Sequence, residues 1–144
     1  MRIFLGIVAG IIVGLASAAG IGFLGDLLFP SGIAVERYTA AAAAEIFPRL
    51  PFGAQLLSIL SWGIATLIGA LLAKKIAGRS WAAWTVAGFF VLYVLLTLLV
   101  LPMPGWMQAV AIAGPVLGGF IANRLVAERP AIETPPEAPD DADL

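Results

Sequence analysis

The chain has 144 residues, of which 61% are hydrophobic and 12% are charged, and it contains no cysteine and no histidine. A small soluble domain buries only about 60–70% of the surface that its unfolded chain exposes, so a composition this apolar predicts a protein surrounded by lipid. The missing residue types exclude disulfides, thiolate chemistry and His-ligated metal or haem. We therefore expect no catalytic residue, no bound metal and no cofactor.

Charge divides the chain into two parts. Residues 1–126 carry seven basic and three acidic side chains, a net charge of +4, whereas residues 127–144 carry one basic and six acidic side chains, a net charge of −5. The acidic segment is rich in proline and lacks aromatic residues, which is typical of disorder. We expect a membrane domain over 1–126, a disordered tail over 127–144, and no nucleic-acid partner, because the chain has no basic domain face.

Four segments, in chain order, are apolar over the roughly 20 residues that a transmembrane helix needs. They run over about 3–29, 52–73, 81–101 and 105–125. Prolines stand at their edges, where proline fits the first turn of a helix or stops the last one. The predicted fold is an all-α membrane protein with four transmembrane helices in a small bundle.

The first connection and the first segment each carry a further prediction. The Ala-rich stretch Val35–Phe47 predicts a short amphipathic helix at the outer interface. The first segment has a rival interpretation as a signal peptide cleaved after Ala18, because an A-x-A pattern follows an apolar run. The run continues to Phe29 and only Arg2 precedes it, so we expect this helix to be retained; the mass of the mature protein decides.

Basic residues predict the orientation, because the cytoplasmic loops of membrane proteins are enriched in Lys and Arg. With the N-terminus inside, Arg37 and Arg49 lie outside and the other six basic residues lie in the cytoplasm. Those six are Arg2, Lys74, Lys75, Arg79, Arg124 and Arg129. Both termini are expected in the cytoplasm, and the Lys74–Arg79 loop is expected to contact anionic headgroups.

Small residues recur every four positions in three of the four predicted helices. The rows are Gly6, Gly10, Gly14 and Ala18 in the first helix, Ser61, Ala65, Gly69 and Ala73 in the second, and Gly114, Gly118 and Ala122 in the fourth. This spacing lets helix backbones approach closely. We interpret the rows as packing of helices one, two and four, with the bulkier third helix outside; the alternative is a narrow pore or an oligomer interface.

The second and fourth helices also resemble each other. Residues 69–76 are similar to residues 118–125, and Gln55 and Gln108 each follow a proline by about one turn. Duplication of a two-helix hairpin explains this similarity. It is explained equally by two helices that enter the same face of the membrane.

Polar residues at the outer ends of the helices suggest one candidate site. Asp26, Gln55 and Gln108 lie at similar depth, where they form either an outward-facing vestibule or simply the polar helix ends in the headgroup layer. No ionisable residue falls at the bilayer midplane. This disfavours proton-coupled pumps and voltage sensors, which need charges there.

A second candidate lies near the midpoints of the second and fourth helices. Pro115 removes one intrahelical hydrogen bond and frees the carbonyl of Ala111. The indole of Trp62, which lipid cannot satisfy, is a suitable donor to that carbonyl. A contact between Trp62 and a kinked fourth helix is therefore predicted, and a gate or small lipid pocket is the functional alternative.

The order of these features resembles a family of small four-helix bacterial inner-membrane proteins with no established activity. The matching residues are LPFGA at 50–54, Trp62, the helix end containing Gly69, IAGR at 76–79, LPMPGW at 101–106 and, more loosely, DLLFP at 26–30. The family pattern often pairs an acidic residue with histidine near the end of the first helix, and only Asp26 remains here. The resemblance implies a multi-pass protein of the inner membrane and carries over no activity.

Three classes of function follow. A structural, accessory or assembly subunit is favoured, with the lipid bilayer and other membrane subunits as partners, because the helices are rich in small residues and carry no recognisable chemistry. The alternative is an oligomeric small-solute channel or transporter, since four short helices enclose little volume alone. An enzyme is disfavoured because the serines in the spans, Ser17, Ser58 and Ser61, lack a base.

Overall fold

The computed structural model describes residues 1–30, 45, 47–101 and 103–127. Over these residues the chain is helical and has no strand. Its four long helices are α1 (Arg2–Leu28), α2 (Phe52–Ala77), α3 (Ser80–Leu98) and α4 (Gly105–Leu125), and a 3₁₀ turn spans Phe47–Arg49. All four helices are long and apolar enough to cross a membrane.

Proline and glycine set the ends of the helices. Pro51 and Pro104 are the N-cap residues of α2 and α4, where the missing N–H costs nothing because the first amides of a helix lack intrahelical partners. Gly78 ends α2 with a left-handed φ of 71°, and its N–H donates to the Lys74 carbonyl at 2.7 Å. A residue with a side chain is strained in that conformation, so glycine is the usual residue at such an end.

Two helix ends differ from the sequence prediction. α2 runs to Ala77, one turn beyond the predicted end at Ala73, because Gly78 supplies the stop signal. α3 ends at Leu98, three residues before the predicted end at Leu101. The amides of Val100 and Leu101 bond back to the Thr97 carbonyl, which turns the chain toward α4.

α2 is the central helix of the bundle. It packs against α1, α3 and α4, whereas α1 packs mainly on α2 and α4 packs on α2 and α3. Small residues on more than one side of α2 make this arrangement possible, because helices can approach closely only where side chains are short.

The sequence-based placement of the third helix outside the core is wrong. Among the described residues, Phe90 of α3 is the largest fully buried side chain, and Val86 and Val94 on the same face are also fully buried. α3 is apolar on all sides, so its sequence carries no periodic signal that separates a core face from an outer face. Its large side chains fill the space that the glycines of α1 and α2 leave.

Buried residues form two clusters, one toward each end of the bundle. The first joins Ala65, Ala70 and Ala73 of α2 to α3 residues and to Ala122 of α4. The second joins Ile59 of α2 and Val94 of α3 to Phe47, Met103, Met107 and Ala111.

Two sequence predictions fall mainly outside the described residues. Of the predicted outer-loop helix over Val35–Phe47, only residues 45 and 47 are described, and the segment from residue 128 onward in the predicted acidic tail is not described.

Candidate functional site

The small-residue rows of α1 and α2 face each other in antiparallel register. The two backbones are so close that a side chain at these glycines would meet the opposite helix. A Cβ atom placed at Gly6 would lie 3.0 Å from the Ala73 carbonyl oxygen. A Cβ atom at Gly10 would lie 2.5 Å from the Gly69 carbonyl oxygen, and one at Gly14 would lie 3.0 Å from the Ala65 carbonyl oxygen. Each step of four residues on α1 is matched by a step of four on α2. Ala18, the last member of the α1 row, is partly buried against the same core cluster.

The side chains of α3 seal this interface from one side. Phe90 carbons lie 2.7 Å from a Cβ placed at Gly14, and a Val86 methyl lies 3.2 Å from one placed at Gly10. Gly10 and Gly14 therefore allow close contact with two elements, the α2 backbone and the large side chains of α3.

A second face of α2 meets α4 through a different set of small residues. Gly63 and Gly114 approach closely, with a Cβ on either one lying 3.2–3.3 Å from the Cα of the other. One turn along α4, a Cβ at Gly118 would lie 2.7 Å from the Gly63 carbonyl oxygen. The predicted α4 row is thus brought to α2, at Gly63 rather than at the predicted row of α2. Gly63 was not singled out from the sequence because it lies outside the four-residue rows.

Three hydroxyl groups of α1 and α2 form hydrogen bonds within their own helices. Ser17 donates to the Val13 carbonyl at 2.8 Å, Ser61 to that of Ser58 at 2.6 Å, and Thr66 to that of Trp62 at 2.7 Å. Each bond returns to the helix that carries the hydroxyl, so these groups present no polar row toward a solute. Among the described residues, no buried side-chain nitrogen or oxygen lacks a hydrogen-bond partner.

The two glutamines near the N-terminal ends of α2 and α4 form the same kind of local hydrogen bond. The Gln55 amide donates to the carbonyls of Phe47 at 3.1 Å and Leu50 at 3.0 Å, and the Gln108 amide donates to that of Met103 at 2.9 Å. In both helices the glutamine reaches back to the residue just before the N-cap proline. This shared geometry extends the similarity of α2 and α4 from sequence to structure.

A cavity of about 500 Å³ lies at this end, lined by Phe47, Pro48, Gln55, Met103 and Pro104. Gln55 is the residue of this lining with a polar side chain. Asp26 is an exposed residue near the end of α1 and Gln108 is exposed near the start of α4, and neither lines this cavity. Of the predicted vestibule trio, only Gln55 therefore borders it.

Trp62 and Pro115 both lie at the α2–α4 side of the bundle. Pro115 is buried, and Trp62 is partly buried against the cluster that contains Ala111. Among the described residues, the Trp62 indole makes no hydrogen bond to the Ala111 carbonyl. The backbone carbonyl of Trp62 accepts a hydrogen bond from the Thr66 hydroxyl, within α2. Packing rather than a hydrogen bond relates Trp62 to α4.

Sequence reasoning missed the most distinctive polar contact. Lys74 is only 2% exposed, and its Nζ donates to the backbone oxygen of Asn123 at 2.7 Å and to the Asn123 side-chain oxygen at 2.8 Å. The prediction that Lys74 contacts headgroups is wrong, because its side chain turns inward between α2 and α4. The only available signal was that Lys74 and Asn123 occupy equivalent positions in the two similar helix ends.

Lys74 compensates the negative ends of two helix dipoles. It lies in the last turn of α2, and its partner Asn123 lies in the last turn of α4. The final carbonyls of a helix lack intrahelical donors and carry partial negative charge, which a nearby cation stabilises. The ammonium thus fastens the ends of α2 and α4 together.

Lys74 is one of five cations that gather at one end of the bundle, which we call the basic end: Arg2, Lys74, Lys75, Arg79 and Arg124. The pairing of Gly6 with Ala73 and of Lys74 with Asn123 brings the start of α1 and the ends of α2 and α4 together here. The described acidic residues, Asp26 and Glu45, belong to the other end, where Glu45 pairs with Arg49 at 3.1 Å. In the part of the chain that is described, no group of three acidic, histidine or cysteine side chains is placed to hold a metal ion.

Comparison of the chain with protein-family models, with curated proteins and with solved structures finds no match. The resemblance to small four-helix inner-membrane proteins therefore stays a prediction.

Proposed function

We propose that the chain is an integral, multi-pass protein of a bacterial inner membrane, with both termini in the cytoplasm, and that it serves as a structural or accessory subunit. Four helices of spanning length and hydropathy support insertion. The basic end supports the orientation, because Lys and Arg are retained on the cytoplasmic side.

The exposed face of α1 is the observation that carries the accessory role. Within an 18-residue apolar segment of α1, only 17% is buried inside the chain. The corresponding segments of the other three helices are 33–39% buried. Large apolar side chains cover its outer surface: Phe4, Leu5, Ile12, Phe23, Leu24, Leu27 and Leu28. A helix that uses one glycine row to grip α2 has most of its circumference left for lipid and for another subunit.

The interior argues against a solute pathway through a single copy. The residues that face the middle of the bundle are small or apolar and fully buried, such as Ala65, Val86 and Phe90. The hydroxyls there bond to their own helices. A channel needs lining groups that replace water around a solute, so the alternative function as a channel would depend on an interface between copies.

Affinity purification from native membranes in a mild detergent tests the accessory role. We expect one membrane protein to co-purify in a fixed ratio, as measured by quantitative mass spectrometry. The variant Gly20→Leu should remove that partner while leaving the chain folded, because nothing lies within 4 Å of a Cβ at Gly20 on α1. Gly88→Leu on α3, whose Cβ position is equally open, is the matched control and should retain the partner.

The opposite outcome is equally clear. A monomer that purifies with no enriched partner, from membranes in which the chain is present at its natural level, would overturn the accessory role. Mass of the intact complex in detergent separates this result from self-association, which would favour the channel alternative.

A further inference from the structure

A seam with an apolar floor runs between α3 and α4 near the basic end. The floor is a close backbone approach, since a Cβ at Gly119 would lie 2.5 Å from the Ala87 Cβ. Trp84 borders the seam on the α3 side, with its Cε3 atom 3.9 Å from the same position. Phe120, the next residue of α4, is about half exposed, as is Trp84. Two exposed aromatic rings thus border a floor made of the smallest residues.

Cations stand at the end of this seam. The Arg124 guanidinium lies 5.0 Å from the centroid of the Phe120 ring, an attractive cation–π distance that holds it beside this aromatic residue. Arg79 is the N-cap residue of α3, so it stands at the same end of the neighbouring helix. Both are exposed, and no carboxylate of the described residues lies at this end.

Buried Lys74 adds a positive charge beneath the surface. Its two hydrogen bonds go to neutral oxygen atoms of Asn123, so they orient the ammonium without cancelling its charge. Because charge is weakly screened inside a protein, this ammonium raises the positive potential at the basic end.

We propose that the α3–α4 seam binds one anionic phospholipid, with its phosphate at Arg124 and Arg79 and an acyl chain along Trp84 and Phe120. Guanidinium groups bind phosphate through paired N–H donors, and tryptophan is suited to the headgroup level of a bilayer. This site rests on the proposed insertion in the membrane with the basic end in the cytoplasm.

The combination of groups selects an anionic lipid over other ligands. A soluble phosphate would use the arginines but leave the aromatic walls without a partner. A zwitterionic lipid would use the walls but bring its own cation to a surface that is already positive. An anionic phospholipid satisfies both parts of the seam.

Native mass spectrometry of the full chain tests the site. The protein is reconstituted in nanodiscs that contain equal amounts of phosphatidylglycerol and phosphatidylcholine with the same acyl chains, and is then released in the gas phase. We expect one retained phosphatidylglycerol adduct in clear excess over phosphatidylcholine. Arg124→Gln should reduce that adduct about fivefold, the effect typical of one basic side chain near an anionic group.

Two matched variants separate a built site from diffuse attraction. Arg2→Gln removes an exposed cation at the same end but on α1, away from the seam, and should reduce the adduct less than twofold. Arg49→Gln removes an exposed cation at the opposite end and should change nothing. Trp84→Ala should weaken the adduct without altering the charge.

Equal losses for Arg124→Gln and Arg2→Gln, or equal retention of the two lipids by the unaltered chain, would overturn the seam site. Failure of the chain to enter nanodiscs at all would instead overturn the proposed membrane insertion. The two failures are therefore told apart in one preparation.

Discussion

Lys74 of α2 donates hydrogen bonds to both oxygen atoms of Asn123 in α4, its counterpart 49 positions further along the chain. The contact closes the basic end of the bundle, where two helices that begin alike also end alike. The last carbonyl groups of a helix have no donor within that helix. Lys74 supplies a donor from the neighbouring helix and so forms a tertiary contact between the two helix ends.

Replacing this lysine should loosen the α2–α4 pair. Lys74→Met keeps the length of the side chain but removes the donors, so we expect the free energy of unfolding to fall by about 1.5–3 kcal/mol, the range for hydrogen bonds to a charged group. Thermal unfolding in detergent, followed by circular dichroism, measures it. Arg2→Met, at an exposed position of the same end, is the control and should shift the midpoint much less.

The reciprocal change should cost more. Asn123→Ala keeps the buried ammonium but leaves it only the backbone acceptor of residue 123. A buried charge with too few hydrogen-bond partners is more costly than an unpaired carbonyl. We expect Asn123→Ala to unfold at a lower temperature than Lys74→Met, in the same assay. If Asn123→Ala matched the unaltered protein, Lys74 could not be held in the way the structure has it.

Two glycines of α1 predict opposite effects of the same substitution on thermal stability. Gly10→Ala forces a methyl group to within 2.5 Å of the Gly69 carbonyl oxygen, and the obstacle is backbone that cannot turn away. We expect a clear loss of thermal stability, in the range of about 1–3 kcal/mol for overpacking. Gly20→Ala, where nothing lies within 4 Å, should be neutral or should stabilise the helix by up to about 1 kcal/mol.

The rows also show what sequence alone can and cannot predict. Four-residue spacing of short side chains predicts a close approach of helix backbones, and the structure places the α1 row against the α2 row. The spacing did not predict the partner face of α4, since Gly63 stands alone in sequence and becomes part of an interface only beside Gly114. Nor did the pair Lys74–Lys75 reveal that one lysine turns inward while the other is exposed.

The buried position of one face of α3 can be tested by shortening its side chains. Phe90 is fully buried and fills the space over Gly14, so Phe90→Ala should lower the free energy of unfolding by about 3–5 kcal/mol. Phe89→Ala, its more exposed neighbour, should cost much less. If the two variants lost similar amounts of stability in detergent unfolding, the placement of Phe90 in the core of the bundle would be wrong.

The glutamine contacts predict local rather than global effects. Gln55→Glu replaces the two amide donors with acceptors and leaves the carbonyls of Phe47 and Leu50 without them, so hydrogen exchange in residues 47–54 should accelerate. Gln108→Glu should do the same around residues 103–107 and leave 47–54 unchanged. Each variant is the control for the other in a hydrogen-exchange experiment read by mass spectrometry.

The most direct measurement of the membrane topology uses the absence of cysteine from the chain. Single cysteines are introduced at four exposed positions, Pro30→Cys, Arg79→Cys, Gly105→Cys and Ala127→Cys, and intact cells are treated with a maleimide that cannot cross the inner membrane. We expect labelling at residues 30 and 105 only, with residues 79 and 127 reacting after the membrane is opened. Labelling of all four in sealed cells, or recovery of the chain in the soluble fraction, would contradict the four-span account.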